Sequence, residues 1–184
     1  MTHRLRVLND AILVGSGTAC IDDPQLNARF LPDNETYNQP QPVILDSQLN
    51  SPLNSRLLKN YQNGQGKQPW IITSTKMTSS SKKIALENVG AKIFMIEPTI
   101  ETGRLDWEKV WTLLWKLDIK SVMVEGGSRV IQSCLTSGFV DQLIVTIAPV
   151  YVGNQGVDVS AVSQLKDVKY QTFGRDVVMA ARIA

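Results

Sequence analysis

Two short stretches of the sequence combine glycine with polar residues directly after an apolar run. One is Gly15-Ser16-Gly17-Thr18, with Asp22-Asp23-Pro24 just beyond it, and the other is Glu125-Gly126-Gly127-Ser128-Arg129. Glycine lets a backbone approach a ligand closely, and a helix beginning after the second stretch would point free N–H groups at the same place. The second stretch therefore predicts a phosphate or pyrophosphate site, with Glu125 placed to hydrogen-bond a hydroxyl or an amine.

Neither stretch is a standard nucleotide motif. Residues 15–20 fail the pattern G-x-G-x-x-G at its last position, and the sequence contains no G-x-x-x-x-G-K-[ST]. The glycines could instead only form tight turns, and Asp22-Asp23-Pro24 could be an ordinary turn, since Asp before Pro favours one. Two such stretches in one small protein, one of them beside an acid pair, favour a ligand site.

Three further groups of polar residues are candidates for ligand contacts. Arg29 lies seven residues beyond Asp22, and its forked guanidinium suits a phosphate, although it could also be a solvated surface charge. Asp46 and Ser47 end a predicted strand and could touch a ribose or form a strand-ending turn. Residues 74–76, Ser-Thr-Lys, could hold a 2′-phosphate or form a helix-capping loop.

Apolar runs and helical periodicity predict the elements that position these residues. Predicted strands cover residues 11–14, 42–46, 70–73, 92–96, 121–124 and 143–147, and predicted helices cover residues 81–89, 107–117 and 128–137. Alternating strands and helices indicate a mostly parallel sheet covered on both faces. Residues 140–152 and 176–183 are strand-like without a helix between them, which predicts antiparallel edge strands. Ligands of open α/β sheets bind beyond the carboxyl ends of the strands, which is where both glycine stretches fall.

Composition and charge argue against several classes of function. The 184 residues are 43% hydrophobic and 20% charged, which predicts one globular domain. Nineteen Lys and Arg against 17 Asp and Glu give a net charge of +2, which predicts no nucleic-acid partner. The apolar runs are shorter than the ~20 residues that span a bilayer, and no signal-peptide pattern is present, which predicts no membrane association and a cytoplasmic protein. One histidine and two cysteines predict neither a metal site nor a disulfide framework.

Several segments together resemble a known family. They are residues 1–6, 10–18, 22–29, 42–47, 121–131, 147–149 and 174–178. The chain resembles the reductases of riboflavin biosynthesis that act on a ribosylamino-pyrimidinone phosphate, above all the fungal form, and is similar to the reductase domain of the bacterial bifunctional deaminase-reductase. The resemblance covers nearly the whole chain. It implies an α/β fold like that of dihydrofolate reductase, with a mixed, mostly parallel sheet, helices on both faces and antiparallel C-terminal edge strands.

The resemblance also implies a reaction, a cofactor and roles for individual residues. NADPH would be the hydride donor that reduces the ribosyl carbon of the phosphorylated substrate to a ribityl side chain, and the protein would be a homodimer. The implied cofactor contacts are Thr18, Asp22, Ser47, Gly126, Gly127, Ser128, Arg129 and Val130. The implied substrate contacts are Leu26, Glu125 and Arg29, the last on the phosphate. Asp22, or a water that it holds, is the candidate proton donor.

Members of the family carry a further segment before the position of Met1, which includes a first strand and a loop lining the pocket. The resemblance therefore implies a single reductase domain over residues 1–184 that is truncated at its amino terminus. Two hypotheses stay open: an active NADPH-dependent reductase, and an impaired relative or fragment that binds nucleotide or a full-length subunit without turnover. A third, a reductase acting on another heterocycle, is disfavoured by Arg29 and Glu125.

Overall fold

A parallel sheet forms the centre of the first part of the protein. The computed structural model describes residues 1–32, 36–160 and 164–184. The sheet consists of β1 (Ala11–Gly15), β2 (Gln41–Leu45), β3 (Trp70–Ser74), β4 (Lys92–Ile96) and β5 (Val122–Gly126). Its order is β4-β3-β2-β1-β5, and every neighbouring pair is parallel. The carboxyl ends of all five strands therefore lie at one edge.

Strand β1 is buried on both faces because its residues are apolar without interruption. Ile12 and Leu13 of β1 are 0% exposed, as the continuous apolar run predicts for a parallel strand covered on both sides. Ile12 packs in a core cluster with Ile44 of β2 and Ile71 of β3. Complete burial of each such side chain contributes about 1.5–3 kcal/mol to stability, so this cluster fixes the strands against one another.

The described residues form six α-helices, one before β1 and five after it. They are α1 (Thr2–Val7), α2 (Ser16–Ile21), α3 (Arg56–Gln62), α4 (Ser81–Asn88), α5 (Trp107–Lys116) and α6 (Ser128–Thr136). Helix α5 begins where the Asp106 carboxylate accepts a hydrogen bond from the backbone N–H of Glu108, and it buries Val110 and Leu114 on one face. None of the helices in the described part of the chain is long and apolar enough to cross a bilayer.

The remaining strands form a separate antiparallel sheet. The chain divides into two compact units, residues 1–127 and 128–184. The second unit contains α6 and the strands β6 (Gln142–Ile147), β7 (Leu165–Phe173) and β8 (Asp176–Ile183), in the order β6-β8-β7. Strands β7 and β8 form a hairpin across Gly174, whose φ of +60° suits a tight turn because glycine tolerates it.

These observations confirm the predicted α/β class, the mostly parallel sheet and the antiparallel C-terminal strands, and they add that those strands make a sheet of their own. Two details of the prediction were wrong. Residues 15–18 do not form a loop, because α2 begins at Ser16, and the strand predicted over residues 140–152 ends at Ile147. Pro149 lacks the N–H needed to continue pairing. Elements α2, α3 and β7 were not predicted.

Candidate active site

Three neighbouring strands bring the predicted cofactor residues to one edge of the first sheet. In the strand register, Gly15 of β1 lies beside Leu45 of β2, and Val14 of β1 lies beside Gly126 of β5. Thr18 follows β1, Ser47 follows β2 and Gly127 follows β5. The two glycine stretches therefore lie at the ends of neighbouring strands, on the same edge of the sheet.

Gly127 and Thr18 lie in close contact. A Cβ atom added at Gly127 would be 3.1 Å from the Thr18 hydroxyl oxygen, closer than side chains normally pack. The preceding Gly126 is buried and has a φ of +154°, which disfavours any other residue. We call Gly126, Gly127 and Thr18 the glycine cradle. Because a side chain at Gly127 would press against Thr18, glycine at this position allows the two segments to approach closely.

The two acids that follow α2 have different surroundings. Asp22 ends the helix, its backbone N–H donating to the Thr18 carbonyl at 3.0 Å, and its side chain is exposed one helical turn beyond the cradle. The Asp23 carboxylate instead accepts a hydrogen bond from the Arg56 N–H at 2.8 Å and pairs with the Arg56 Nε at 3.3 Å. Asp23 therefore caps α3, which leaves Asp22 as the acid available to a ligand.

Asp46 shapes the turn that presents Ser47. Its side chain is 1% exposed, and its Oδ2 accepts hydrogen bonds from both the N–H and the hydroxyl of Ser51 at 2.7 Å. Its Oδ1 is buried and has no hydrogen-bond partner within the described residues. The strand-ending turn considered for these residues is therefore present. Ser47, half-buried beside it, stays a candidate cofactor contact.

The predicted contacts Ser128, Arg129 and Val130 form the first turn of α6, which starts directly after Gly127. Arg129 is exposed, while Ser128 and Val130 are half-buried. The first N–H groups of a helix have no carbonyl partner within that helix, so this turn offers hydrogen-bond donors to an anion. These three residues belong to the second unit.

Glu125 is held by an arginine that the sequence did not single out. The Arg6 Nε and Nη2 donate to the two carboxylate oxygens of Glu125 at 2.8 and 2.7 Å, and the Arg6 Nη1 donates to the Asn27 carbonyl at 2.8 Å. The side chains of Arg6 and Glu125 are 12% and 20% exposed. A forked pair with little solvent around it is stronger and more rigid than a surface ion pair.

The other two predicted substrate contacts differ in accessibility. Leu26 is 1% exposed and belongs to the core cluster, so its side chain faces away from solvent. Arg29 is exposed: its Nη1 donates to the Gln25 side-chain oxygen at 3.1 Å, and its backbone N–H donates to the His3 Nδ1 at 3.2 Å. Only Arg29 of the two presents a side chain that could bind a phosphate.

The acceptor role of His3 requires an uncharged ring. Burial lowers the pKa of His3 below its ordinary value of 6.5, and the positive charge of Arg6 lowers it further. At neutral pH the ring is therefore uncharged and its Nδ1 accepts the hydrogen bond from Arg29. The His3 side chain is half-buried.

Two other candidates contribute to structure. The Ser74 hydroxyl accepts a hydrogen bond from the Lys76 N–H at 3.2 Å and caps a 3₁₀ turn, which supports the capping interpretation of residues 74–76. Cys134 is buried, and burial raises the pKa of its thiol to about 11, in agreement with a packing role. The described residues contain no group of three or more His, Cys, Asp or Glu that could hold a metal ion.

The geometry thus defines an α/β protein with a ligand site at the carboxyl edge of a parallel sheet. The glycine cradle includes Gly126, the last residue of β5, and the preceding residue Glu125 pairs with Arg6. This class of site accommodates a dinucleotide beside a second, smaller ligand.

The chain belongs to the family described as the RibD C-terminal domain, whose model matches residues 1–179. It is 38% identical over 194 residues to the 2,5-diamino-6-ribosylamino-4(3H)-pyrimidinone 5′-phosphate reductase of Candida glabrata, a match that covers 100% of this chain and 76% of that protein. The enzyme of the same name from Saccharomyces cerevisiae is 38% identical over 189 residues, with 100% and 74% covered.

Solved structures of similar proteins support the predicted fold. The riboflavin biosynthesis reductase of Saccharomyces cerevisiae superposes with a TM-score of 0.85 at 33% identity, covering 100% of this chain and 80% of that one. A pyrimidine reductase-like protein of Corynebacterium diphtheriae superposes with a TM-score of 0.80 at 20% identity, covering 100% and 79%. The fold like that of dihydrofolate reductase is confirmed, and the family is one of oxidoreductases.

Proposed function

We propose that the protein reduces the ribosylamino side chain of 2,5-diamino-6-ribosylamino-4(3H)-pyrimidinone 5′-phosphate to the ribitylamino form, with NADPH as hydride donor. The observation that carries this proposal is the glycine cradle next to the buried pair Arg6–Glu125, at the carboxyl edge of the parallel sheet. The names of the fungal relatives, which match over the whole chain, support the choice of substrate.

The cradle fits a dinucleotide cofactor. Gly126 and Gly127 carry no side chain that would obstruct a diphosphate, and Thr18, after β1, and Ser47, after β2, offer hydroxyl groups. The first turn of α6, with Ser128, Arg129 and Val130, adds N–H donors. When bound, NADPH supplies the hydride, and the task of the protein is to bind and orient it.

The substrate side supplies charge and a proton. Arg29 presents an exposed guanidinium for the substrate phosphate, whereas Leu26 is buried and is proposed as a contact on the resemblance alone. Glu125 keeps lone pairs beyond the two that Arg6 uses, so it can accept a hydrogen bond from a substrate hydroxyl or amine. Reduction of the ribosyl carbon consumes one hydride and one proton, and Asp22, or a water that it holds, is the proposed proton donor.

A turnover assay tests the proposal. The protein is mixed with NADPH and the ribosylamino-pyrimidinone phosphate, and the absorbance of the reduced nicotinamide is followed. We expect oxidation of NADPH that depends on the substrate and slows in the variant Asp22→Asn. The absence of turnover together with the absence of substrate binding would contradict the proposal.

The substitution Arg29→Ala tests the assignment of the phosphate. Loss of a charged hydrogen bond to phosphate should raise the KM for the substrate about tenfold to hundredfold and leave the KM for NADPH nearly unchanged. Arg104→Ala, which removes another exposed guanidinium, is the matched control and should change neither constant. Equal increases in both constants for Arg29→Ala would refute the assignment.

The proposal includes a homodimer and a cytoplasmic location, which rest on the resemblance. Sedimentation velocity of the purified protein tests the first, with a species of twice the mass of the 20.4 kDa chain expected. Fractionation of cells that produce the protein tests the second. A monomer in solution would contradict the homodimer. Recovery of the protein with the membrane fraction would contradict the cytoplasmic location.

A further inference from the structure

We infer that Arg6 is a positioning residue for the substrate: it holds Glu125 and the segment 27–29 in one fixed arrangement and does not contact the substrate itself. The inference rests on the proposed function, because it concerns the substrate side of that site. The inference adds Arg6 and helix α1 to the proposed site. Neither the glycine motifs nor the predicted contacts include them.

Arg6 joins two pieces of chain that are far apart in sequence. Glu125 is 119 residues away at the tip of β5, and Asn27 is 21 residues away in the connection after α2. All three nitrogens of the guanidinium are used, two on the Glu125 carboxylate and one on the Asn27 carbonyl. One planar group therefore sets the distance between the β5 tip and the segment that carries Arg29.

The guanidinium of Arg6 is not available to bind a phosphate. Its side chain is 12% exposed, and each of its nitrogens already donates to a protein oxygen. Glu125, in contrast, can still accept from a ligand, and Arg29 is exposed. Any effect of Arg6 on the substrate therefore acts through these two residues.

Helix α1 makes a second hydrogen bond to segment 27–29. His3 and Arg6 are three residues apart, a spacing that places both side chains on one helix face. His3 accepts from the Arg29 N–H, and Arg6 donates to the Asn27 carbonyl, so both ends of segment 27–29 are attached to α1. A helix of six residues is not stable alone, so these contacts also order α1.

The variant Arg6→Lys tests the inference, because it keeps the positive charge and loses the planar fork. We expect the KM for the pyrimidinone phosphate to rise about tenfold to hundredfold, as a small misplacement of binding groups does, while the KM for NADPH stays within about twofold. Arg4→Lys, the same substitution on the same helix, is the matched control and should change neither constant. A purely structural role would lower the melting temperature and leave both constants of the folded enzyme unchanged.

A double-mutant cycle shows whether Arg6 acts through Glu125. If it does, the increases in substrate KM for Arg6→Gln and Glu125→Gln are not additive, and the double variant resembles the more impaired single one. Additive increases would overturn the inference. So would a substrate KM in Arg6→Lys equal to that of the unaltered protein.

Hydrogen exchange on the unaltered protein provides a test that needs no variant to fold. Binding of the pyrimidinone phosphate should slow exchange of the α1 amides together with those of segment 27–29, because Arg6 and His3 couple them. Unchanged exchange in α1 on substrate binding would overturn the inference. If the unaltered protein neither binds nor reduces the substrate, the proposed function itself fails, a result distinct from an active enzyme that tolerates Arg6→Lys.

Discussion

The two sheets of this protein bury their strands to very different extents. Residues of β1 in the parallel sheet are all buried, whereas each of the nine residues of β7 in the antiparallel sheet is exposed. Strand β1 is a continuous apolar run, while β7 is a mixture of charged, polar and apolar residues. The first is held by packing and the second mainly by its hydrogen-bonded pairing with β8.

This difference shows why the proposed site lies on the first sheet. Groups that bind and orient a ligand need a rigid support, which fully buried strands supply. The glycine cradle and Glu125 follow or end β1, which is fully buried, and β5, which is half-buried except at the buried Gly126. Strand β7 offers no comparable support within its own unit, so substitutions there should affect stability much less.

A core substitution in the first sheet should have the largest effect. Ile12 is 0% exposed and lies in the core cluster, so Ile12→Ala removes buried atoms and leaves a cavity. We expect a loss of about 2–5 kcal/mol in the free energy of unfolding, measured by urea titration. A loss below about 1 kcal/mol would mean that β1 is not the packed centre.

Removal of a charged acceptor at the other end of β1 should have an intermediate effect. The Asp10 Oδ2 accepts hydrogen bonds from the N–H groups of Lys120 and Ser121 and from the Ser121 hydroxyl, at 2.9 to 3.1 Å. Asp10→Asn should cost about 1 kcal/mol of unfolding free energy at neutral pH, because the site is exposed. Asp141→Asn, another exposed acid, is the control and should change stability little.

The effect of Asp10→Asn on the free energy of unfolding should depend on pH. The hydrogen bonds from the Lys120 and Ser121 backbone lower the pKa of Asp10 below its ordinary value of 3.8. A lowered pKa stabilises the folded state above the ordinary value, and this contribution is lost as the pH falls through the lowered pKa. The stability difference between the unaltered protein and Asp10→Asn should therefore shrink in acid. A constant difference would contradict the role given to the carboxylate.

A substitution in β7 should have the smallest effect. Tyr170 is 66% exposed, and Tyr170→Thr keeps a residue that favours strands. We expect the free energy of unfolding, measured by the same urea titration, to change by no more than about 0.5 kcal/mol. A loss well above this value would show that another surface covers Tyr170 in solution, and the comparison between the sheets would then hold only for the isolated chain.

The sequence predicted the fold where apolar runs were long enough to be distinctive. The strands β1 to β5 and the helices α4, α5 and α6 were expected close to their observed positions. The short helices α2 and α3 span six and seven residues, too few for a clear helical period. Strand β7 lacks an apolar run, and its pairing partner determines its structure.

The candidate site was predictable in part for a related reason. Glycine stretches at strand ends are local signals, and both fall at the carboxyl edge of the parallel sheet. The contact between Arg6 and Glu125 joins residues that are 119 positions apart, so no local sequence pattern predicts it. The burial of the Leu26 side chain likewise depends on the assembled core rather than on its neighbours in sequence.

The crystal structure of the protein with NADPH tests the central claim most directly. We predict that the diphosphate lies against Gly126 and Gly127, beside Thr18, with the nicotinamide directed toward Glu125. NADPH bound away from the carboxyl edge of β1, β2 and β5, or absent at concentrations that support turnover, would contradict the account.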